Sequence, residues 1–388
     1  MPDLTGFNIS ELYFLIPELL IVSGIILTIF LDLILKNSVK YIFTTTIFIC
    51  LSSVISLLVN SSTFHPIIYA ALNPNDSSII PRVLADISLI FILIVWFLKN
   101  DKDKDHSEYI YLWLIKLFAV HLLCISNHWL IVVLSIESIS LSSYILIARS
   151  YTKKGFESAF KYLVFGGLST GIMLFGISLL LVSQGELYFS SLKFFYQDFS
   201  FDLNLSNLGI LFAFAGIIFK LGLIPLHFWA PDVYEGADYP VLISLSTLPK
   251  IAVFGFMVSQ FLIHWEEGRF GISAFSEFIS VIALISIFWG NLSALRQNSF
   301  NRLFAYSSIA QSGFITLALL PGYLNYPNLY VYLGLYITMQ VIVFGAAQLL
   351  NKENLELEDF KGLYRNALWL SIVITISMMA LIGLPPTG

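Results

Sequence analysis

Twelve times along this chain a run of about 17 to 25 mostly apolar residues recurs, the length an α-helix needs to cross a hydrocarbon core roughly 30 Å thick. The runs lie near 12–35, 41–59, 82–98, 109–125, 129–149, 159–183, 208–229, 241–263, 274–296, 301–320, 328–350 and 367–388. In lipid every backbone N–H and C=O must be bonded within the protein, so these runs specify an all-α, polytopic membrane bundle. Composition agrees: 57% of the 388 residues are hydrophobic and 12% are charged, against about 25% charged in soluble domains. The first run is too long for a signal peptide and lacks a small-residue cleavage site, so it is expected to remain as an anchor.

Several chemistries are excluded early. Cys50 and Cys124 both lie in apolar runs, which offers neither a disulfide framework nor a thiolate metal site. The six histidines show no ligand spacing, so no metal is expected. There is no glycine-rich phosphate loop, no dinucleotide fingerprint and no basic stretch suited to nucleic acid.

The cations set an orientation. Loops after odd-numbered runs hold fourteen Lys and Arg residues, whereas loops after even-numbered runs hold only Arg82, Lys193 and Arg269. By the positive-inside rule the N-terminus faces the intermembrane space or periplasm. Three lysines fall outside this division, Lys116, Lys220 and Lys250, each near the middle of a run. One acid, Glu137, shares that position. A charge at mid-membrane costs at least ~2.5–3.5 kcal/mol on insertion scales and marks either a proton or ion route or a structural ion pair. Burial disfavours an ammonium and a nearby carboxylate favours it, so a lysine held between the two can load and release a proton near neutral pH.

Prolines sit beside two of these lysines. Pro225 lacks an N–H and its ring clashes with the carbonyl of Leu221, which predicts a helix break about one turn past Lys220. Irregular backbone at membrane depth is tolerated only where protein or water satisfies it, so a hydrated pocket is expected there. Pro249, directly before Lys250, is expected to break the next span, with Ser244, Ser246 and Thr247 satisfying the freed carbonyls; "GLPPTG", with Pro385 and Pro386, is expected to break the twelfth. Discontinuous helices near the midplane are a transporter pattern.

Five segments, "LSIESISLSSYILIA" (134–148), "FKLGLIPLHFWAPDVYEGADYPV" (219–241), "LPKIAVF" (248–254), "RLFAYSSIAQSGF" (302–314) and "GLPPTG" (383–388), occur in order. Together they resemble the antiporter-like membrane subunits, chain 2 type, of proton-pumping NADH:quinone oxidoreductase, respiratory complex I. The resemblance spans roughly residues 10–388. It implies fourteen helices in the family, with two inverted five-helix repeats that each contain a broken helix. The corresponding divisions here are 1–108, an N-terminal three-helix segment; 109–263, the first repeat; and 264–388, an incomplete second repeat.

The resemblance also implies a proton relay through Glu137, Lys220 and Lys250, driven by electron transfer in other subunits. A charge change elsewhere would weaken the hold of Glu137 on Lys220, whose proton would pass along a hydrated path toward Lys250. His227 lies near this route or serves as a helix-end hydrogen-bond partner. A further lysine on the family's span 12 has no counterpart before Gly388, so either a separate chain completes helices 12–14, the favoured expectation, or the sequence is truncated there. Gln311 stands where the family often has a histidine. Lys116 has no usual counterpart; it either pairs with Glu137 at equal depth, in competition with Lys220, or faces another subunit or a water-filled cavity.

The implied setting is a multi-pass subunit of an NADH:ubiquinone reductase, surrounded by lipids and other complex I membrane subunits. No redox centre is expected in this chain; FMN, iron–sulfur clusters and ubiquinone belong elsewhere in the complex. The 34 phenylalanines point to an AT-rich organelle genome and so to the mitochondrial inner membrane, with a bacterial plasma membrane as the alternative. Rival functions are a stand-alone sodium/proton antiporter of related fold and a structural subunit that pumps nothing. Elsewhere, "DKDKDHSE" (101–108) reads as a solvated loop and Glu353, Glu356, Glu358 and Asp359 as the same or as a contact for a neighbouring subunit. The small residues of "GLSTG" (167–171) are expected to permit close helix packing.

Overall fold

A computed structural model of the chain describes residues 9–35, 38–59, 71–99, 107–189, 205–261, 272–320, 326–350, 352 and 355–384. The helices that build the bundle are α1 (Ile16–Ile34), α2 (Val39–Val59), α3 (Asp76–Lys99), α4 (Glu108–Ile125), α5 (Trp129–Ala148), α6 (Lys153–Gln184), α7 (Leu205–Leu221), α8 (Trp229–Gly236), α9 (Tyr239–Phe256), α10 (Ile272–Ala294), α11 (Phe300–Leu317), α12 (Tyr326–Leu349) and α13 (Leu368–Ile382). With α7 and α8 taken as one interrupted span, these account for all twelve expected runs. Among the described residues nine helices are long and apolar enough to cross a membrane, and α7 and α13 are shorter apolar helices. α11 is more polar, carrying Asn301, Arg302 and Gln311.

Local chemistry sets the helix ends. The Thr152 hydroxyl accepts from Gly155 N–H at 3.0 Å to start α6, and Gly185 ends it with φ +80, a value that favours glycine. His128 caps α5, its Nδ1 accepting from Leu130 N–H at 3.2 Å. α6 and α7 approach closely because Gly176, Gly209 and Gly216 line their contact; a Cβ at Gly176 would lie 2.3 Å from the Ala213 nitrogen.

The core centres on α9. It packs against α3, α4, α5, α7 and α12, and every residue of Tyr239–Gln260 is buried. A π-helical turn, Met257–Phe261, continues it. Its end is tied down by Asn75 Nδ2, which donates to Ser259 O at 2.6 Å, and by Gln260 Nε2, which donates to Asn73 O at 2.8 Å.

Three expectations need correction. Pro249 does not break α9; the helix runs through it. Protein surrounds this helix on every side and holds it in line, and Thr247 Oγ1 and Ser246 Oγ donate to Ile243 O at 2.7 and 3.0 Å. Arg82 is not a loop residue: α3 begins at Asp76, carries Pro81 within it, and buries Arg82 at 3% exposure. A Cβ added to Gly167 or Gly171 of "GLSTG" would meet nothing within 4 Å, because the packing face of α6 lies at Gly166 and Gly176 instead. α13 ends at Ile382 with Gly383 at φ +82; Pro385 and Pro386 lie outside the described residues. Of "DKDKDHSE", only Ser107 and Glu108 are described, and Glu108 pairs with Arg149 at 2.8 Å. Glu353 also lies outside them, while Glu358 and Asp359 pair with Lys361 and Lys352 at 2.7 and 2.6 Å.

Candidate functional site

α7 stops at Leu221, four residues before Pro225, as the missing N–H and ring clash require. The chain turns at Gly222, φ +66, where Gly222 N–H and Leu223 N–H donate back to Phe219 O and Ile218 O, each at 3.0 Å. Side chains from neighbouring helices satisfy the rest. Ser312 Oγ of α11 donates to Leu221 O at 2.8 Å, Ile224 N–H donates to Ser286 Oγ of α10 at 3.0 Å, and Trp229 Nε1 donates to Phe219 O at 3.0 Å. The interruption is thus stabilised by protein groups drawn from both flanking helices.

Lys220 occupies the last turn before this break. It is 4% exposed, and its Nζ has no hydrogen-bond partner. Aromatic faces surround it: Nζ lies 5.2 Å from the Tyr162 centroid, 5.6 Å from Phe219 and 6.0 Å from Tyr144. Trp229 stacks on Tyr162 at 4.5 Å and so closes the cage from the far side of the break.

Glu137 is not buried as expected but half-buried, on α5. It accepts a hydrogen bond from the Thr170 hydroxyl of α6 and makes no hydrogen bond to Lys220. Lys116 does not pair with Glu137. Its Nζ donates instead to Ser244 O and Oγ of α9, at 3.1 and 3.3 Å, because α4 presents this residue to α9 whereas Glu137 faces α6. Equal depth in the membrane is not enough for contact; azimuth around each helix decides it.

Lys250 is differently held. At 4% exposure its Nζ donates to Ser308 O at 2.7 Å, Ser308 Oγ at 2.8 Å and Tyr336 Oη at 2.9 Å, and it lies 4.4 Å from the Tyr336 ring centroid. Ser308 Oγ also lies 3.0 Å from Tyr234 Oη of α8. Ser312 connects the two halves: its Oγ reaches Ser308 O at 3.0 Å and Leu221 O at 2.8 Å. A line of polar atoms therefore runs from Lys250 through Ser308 and Ser312 to the residue next to Lys220.

His227 is buried in the break, with Nδ1 unpartnered and its ring beside Phe228 at 4.7 Å. Its carbonyl accepts from Ala230 N–H at 3.0 Å, which starts α8. Gln311 Nε2 donates to Leu381 O of α13 at 2.8 Å and its Oε1 accepts from the Tyr332 hydroxyl. A cleft of about 250 Å³ lined by Gln311, Tyr332, Tyr336 and Gly383 opens here, one side chain away from Lys250.

α8 is clamped at its other end by charge. Asp232 pairs with Lys161 at 2.9 Å and Arg302 at 3.0 Å; Glu235 pairs with Lys154 at 2.6 Å and Arg302 at 3.0 Å. Partial burial alone would raise both carboxyls, but the hydrogen bonds and charges of these cations prevail and hold both below their usual range. The broken span is thus fixed to α6 and α11 on either side.

Ser308, Tyr336 and Tyr234 carry no sequence signal of their own, although Ser308 lies within "RLFAYSSIAQSGF" and Tyr234 within "FKLGLIPLHFWAPDVYEGADYPV". Four further charged residues were also not expected at the interior: Glu18, Arg82, Asp86 and His121 are all buried within α1, α3 and α4. Arg82 and Asp86, one helical turn apart in an apolar run, were the available signal.

Comparison with known proteins gives a consistent set of matches. The family model described as NADH:quinone oxidoreductase/Mrp antiporter, transmembrane, matches residues 126–388. NADH-quinone oxidoreductase subunit N of Ruthia magnifica subsp. Calyptogena magnifica is 31% identical over 400 residues, covering 100% of this chain and 81% of that protein. Subunit N of Thiobacillus denitrificans is 30% identical, covering 96% of this chain and 78% of its own length. Among solved structures, respiratory complex I from Thermus thermophilus with bound aureothin contains a chain similar at TM-score 0.76 and 26% identity, over 96% of this chain and 79% of that one. The Mrp complex from Dietzia shares the fold at TM-score 0.77 and 17% identity, over 98% of this chain and 72% of that one.

Proposed function

The chain belongs to the NADH:quinone oxidoreductase/Mrp antiporter family, on its complex I subunit N branch, and on that premise we propose that Glu137, Lys220 and Lys250 are the groups through which it moves protons. It is an antiporter-like membrane-arm subunit of an NADH–quinone oxidoreductase complex, working beside other membrane subunits of that complex. The observation that carries the residue assignment is Lys220: a buried lysine without a hydrogen-bond acceptor, caged by aromatic rings and set at a helix break.

An ammonium that gives up no hydrogen bond when it deprotonates has a smaller barrier to release than one bound by three acceptors. Lys220 is therefore the group that responds to a change at Glu137, and Lys250, bonded to Ser308 and Tyr336, is the group that receives. Ser312, Ser308 and water would complete the transfer between them. Lys116 and His227 lie off this line, Lys116 on Ser244 and His227 within the break, short of α8. Electrons, flavin, iron–sulfur clusters and quinone chemistry belong to other subunits on this reading.

The membrane is an energy-coupling one. Bacterial relatives support a plasma membrane, and the phenylalanine-rich composition supports a mitochondrial inner membrane. The deciding experiment replaces Lys220 by Ala in the assembled complex and measures protons moved per NADH oxidised in sealed vesicles. The expected result is a lowered ratio with assembly intact. An unchanged ratio would favour a structural subunit that pumps nothing.

A further inference from the structure

Four charged side chains outside the relay meet in the interior of α1, α3 and α4, with α2 packed beside them. Glu18, Arg82, Asp86 and His121 are 4%, 3%, 0% and 0% exposed. Arg82 Nη1 donates to Glu18 Oε1 at 3.0 Å, and its Nε and Nη2 donate to Ser78 O and Oγ at 3.0 and 2.9 Å. His121 lies between the two acids, Nδ1 3.3 Å from Glu18 Oε1 and Nε2 3.5 Å from Asp86 Oδ1. Ser53 of α2 donates to Asp86 Oδ2 at 2.9 Å. Glu18 Oε2, Asp86 Oδ1 and His121 Nε2 have no hydrogen-bond partner.

Charge counting defines the chemistry. The two carboxylates carry two negative charges, and the guanidinium, which stays protonated, cancels one. An uncompensated charge in a buried site is costly, so the cluster requires one proton to be neutral. The imidazole, with a carboxylate oxygen facing each ring nitrogen, is built to hold it, since only the protonated ring donates from both.

We propose that Glu18, Arg82, Asp86 and His121 form a second proton-binding site, which exchanges one proton with the water at the end of the bundle where α1 begins. Access comes from a narrow cleft of about 20 Å³, room for one water, lined by Pro17, Leu57, Asn75 and Arg82 among the ends of α1, α2 and α3. The same edge connects inward: Asn75 accepts from Ser78 N–H at 3.0 Å and donates to Ser259 O on the turn that ends α9. The other titratable groups around the cluster are the thiols of Cys50 on α2 and Cys124 on α4. Lys116, five residues before His121 on α4, is turned to Ser244. A site that takes up its proton from this side is positioned to report the proton content of that compartment to the helix carrying Lys250.

The test is an infrared difference titration of the purified complex at rest, so it does not depend on the transport reading. The wild-type spectrum minus that of His121→Gln isolates the imidazole, and an imidazolium signal persisting above neutral pH is expected. Asp86→Asn leaves Glu18 and Arg82 balanced, and the midpoint should fall by at least about one pH unit, a tenfold loss of proton affinity. Ser53→Ala keeps every charge and removes only a hydrogen bond from Asp86; its midpoint should rise and it covers failure of Asp86→Asn to assemble. In D2O the isolated signal should exchange, and Leu57→Trp, which fills the cleft, should slow that exchange about tenfold or more. A neutral imidazole throughout the range, a midpoint unmoved in the variant that assembles, or exchange indifferent to Leu57→Trp overturns the proposal.

Discussion

Lys116, Lys220 and Lys250 look alike in the sequence, but their surroundings divide them. Lys250 has three acceptors, Lys116 has two on a single residue, and Lys220 has none. Removing a buried hydrogen-bonded group costs roughly 1–3 kcal/mol for the partner left behind. Ser244 O is a helical carbonyl and Ser244 Oγ already donates to Val241 O at 2.9 Å, so neither is orphaned without Lys116. Lys116→Met is therefore expected to leave proton stoichiometry within about twofold of wild type in the same vesicle assay, whereas Lys220→Ala lowers it. At this scale the sequence disclosed the three lysines at membrane depth but not their partners, and it did not disclose the buried Glu18, Arg82, Asp86 and His121. Contact between α4 and α9 depends on packing, which no spacing along the chain encodes.

The broken span α7–α8 is the element on which the site depends, and two independent devices hold it. One is the close glycine contact with α6. Gly176→Val inserts side-chain atoms where even a Cβ would meet the backbone of Ala213 and Phe212; a detergent-extraction assay should show loss of assembled complex, of the order of 1–3 kcal/mol in stability. Gly171→Val, on the open face, should be neutral in the isolated chain. The second device is the ionic clamp on Asp232 and Glu235, whose carboxyls are held below their usual range by Lys161, Lys154 and Arg302 once the opposing effect of burial is overcome. Groups lowered on folding contribute stability above their ordinary values of 3.8 and 4.5, and that contribution is lost as pH falls through the depressed ones. Melting temperature should accordingly drop on acidification below about pH 4.5 in the wild type, and drop less steeply in Arg302→Gln. Pro225 announced the break in the sequence, but Pro249 announced one that does not exist. The difference lies in the surroundings: α7 ends among hydroxyls and an indole that take up its freed groups, while α9 is gripped along its whole length.

For the whole molecule, the twelve apolar runs already contained the bundle, because lipid leaves a chain so few ways to satisfy its backbone. The order in which helices pack was not in those runs, and neither was the group formed by Glu18, Arg82, Asp86 and His121, which α1, α3 and α4 bring together from distant positions. The central placement of α9 joins these parts, since it touches Lys116 through Ser244, carries Lys250, and ends in the turn bonded to Asn73 and Asn75. Gln260→Leu removes the donor to Asn73 O and Cys124 O and should lower thermal stability by about 1–3 kcal/mol, read by scanning calorimetry of the complex. Because every residue of Tyr239–Gln260 is buried within the protein, this helix cannot drift sideways to relieve a push. A wedge driven in at any point along it must displace one of the helices α3, α4, α5, α7 or α12 that enclose it.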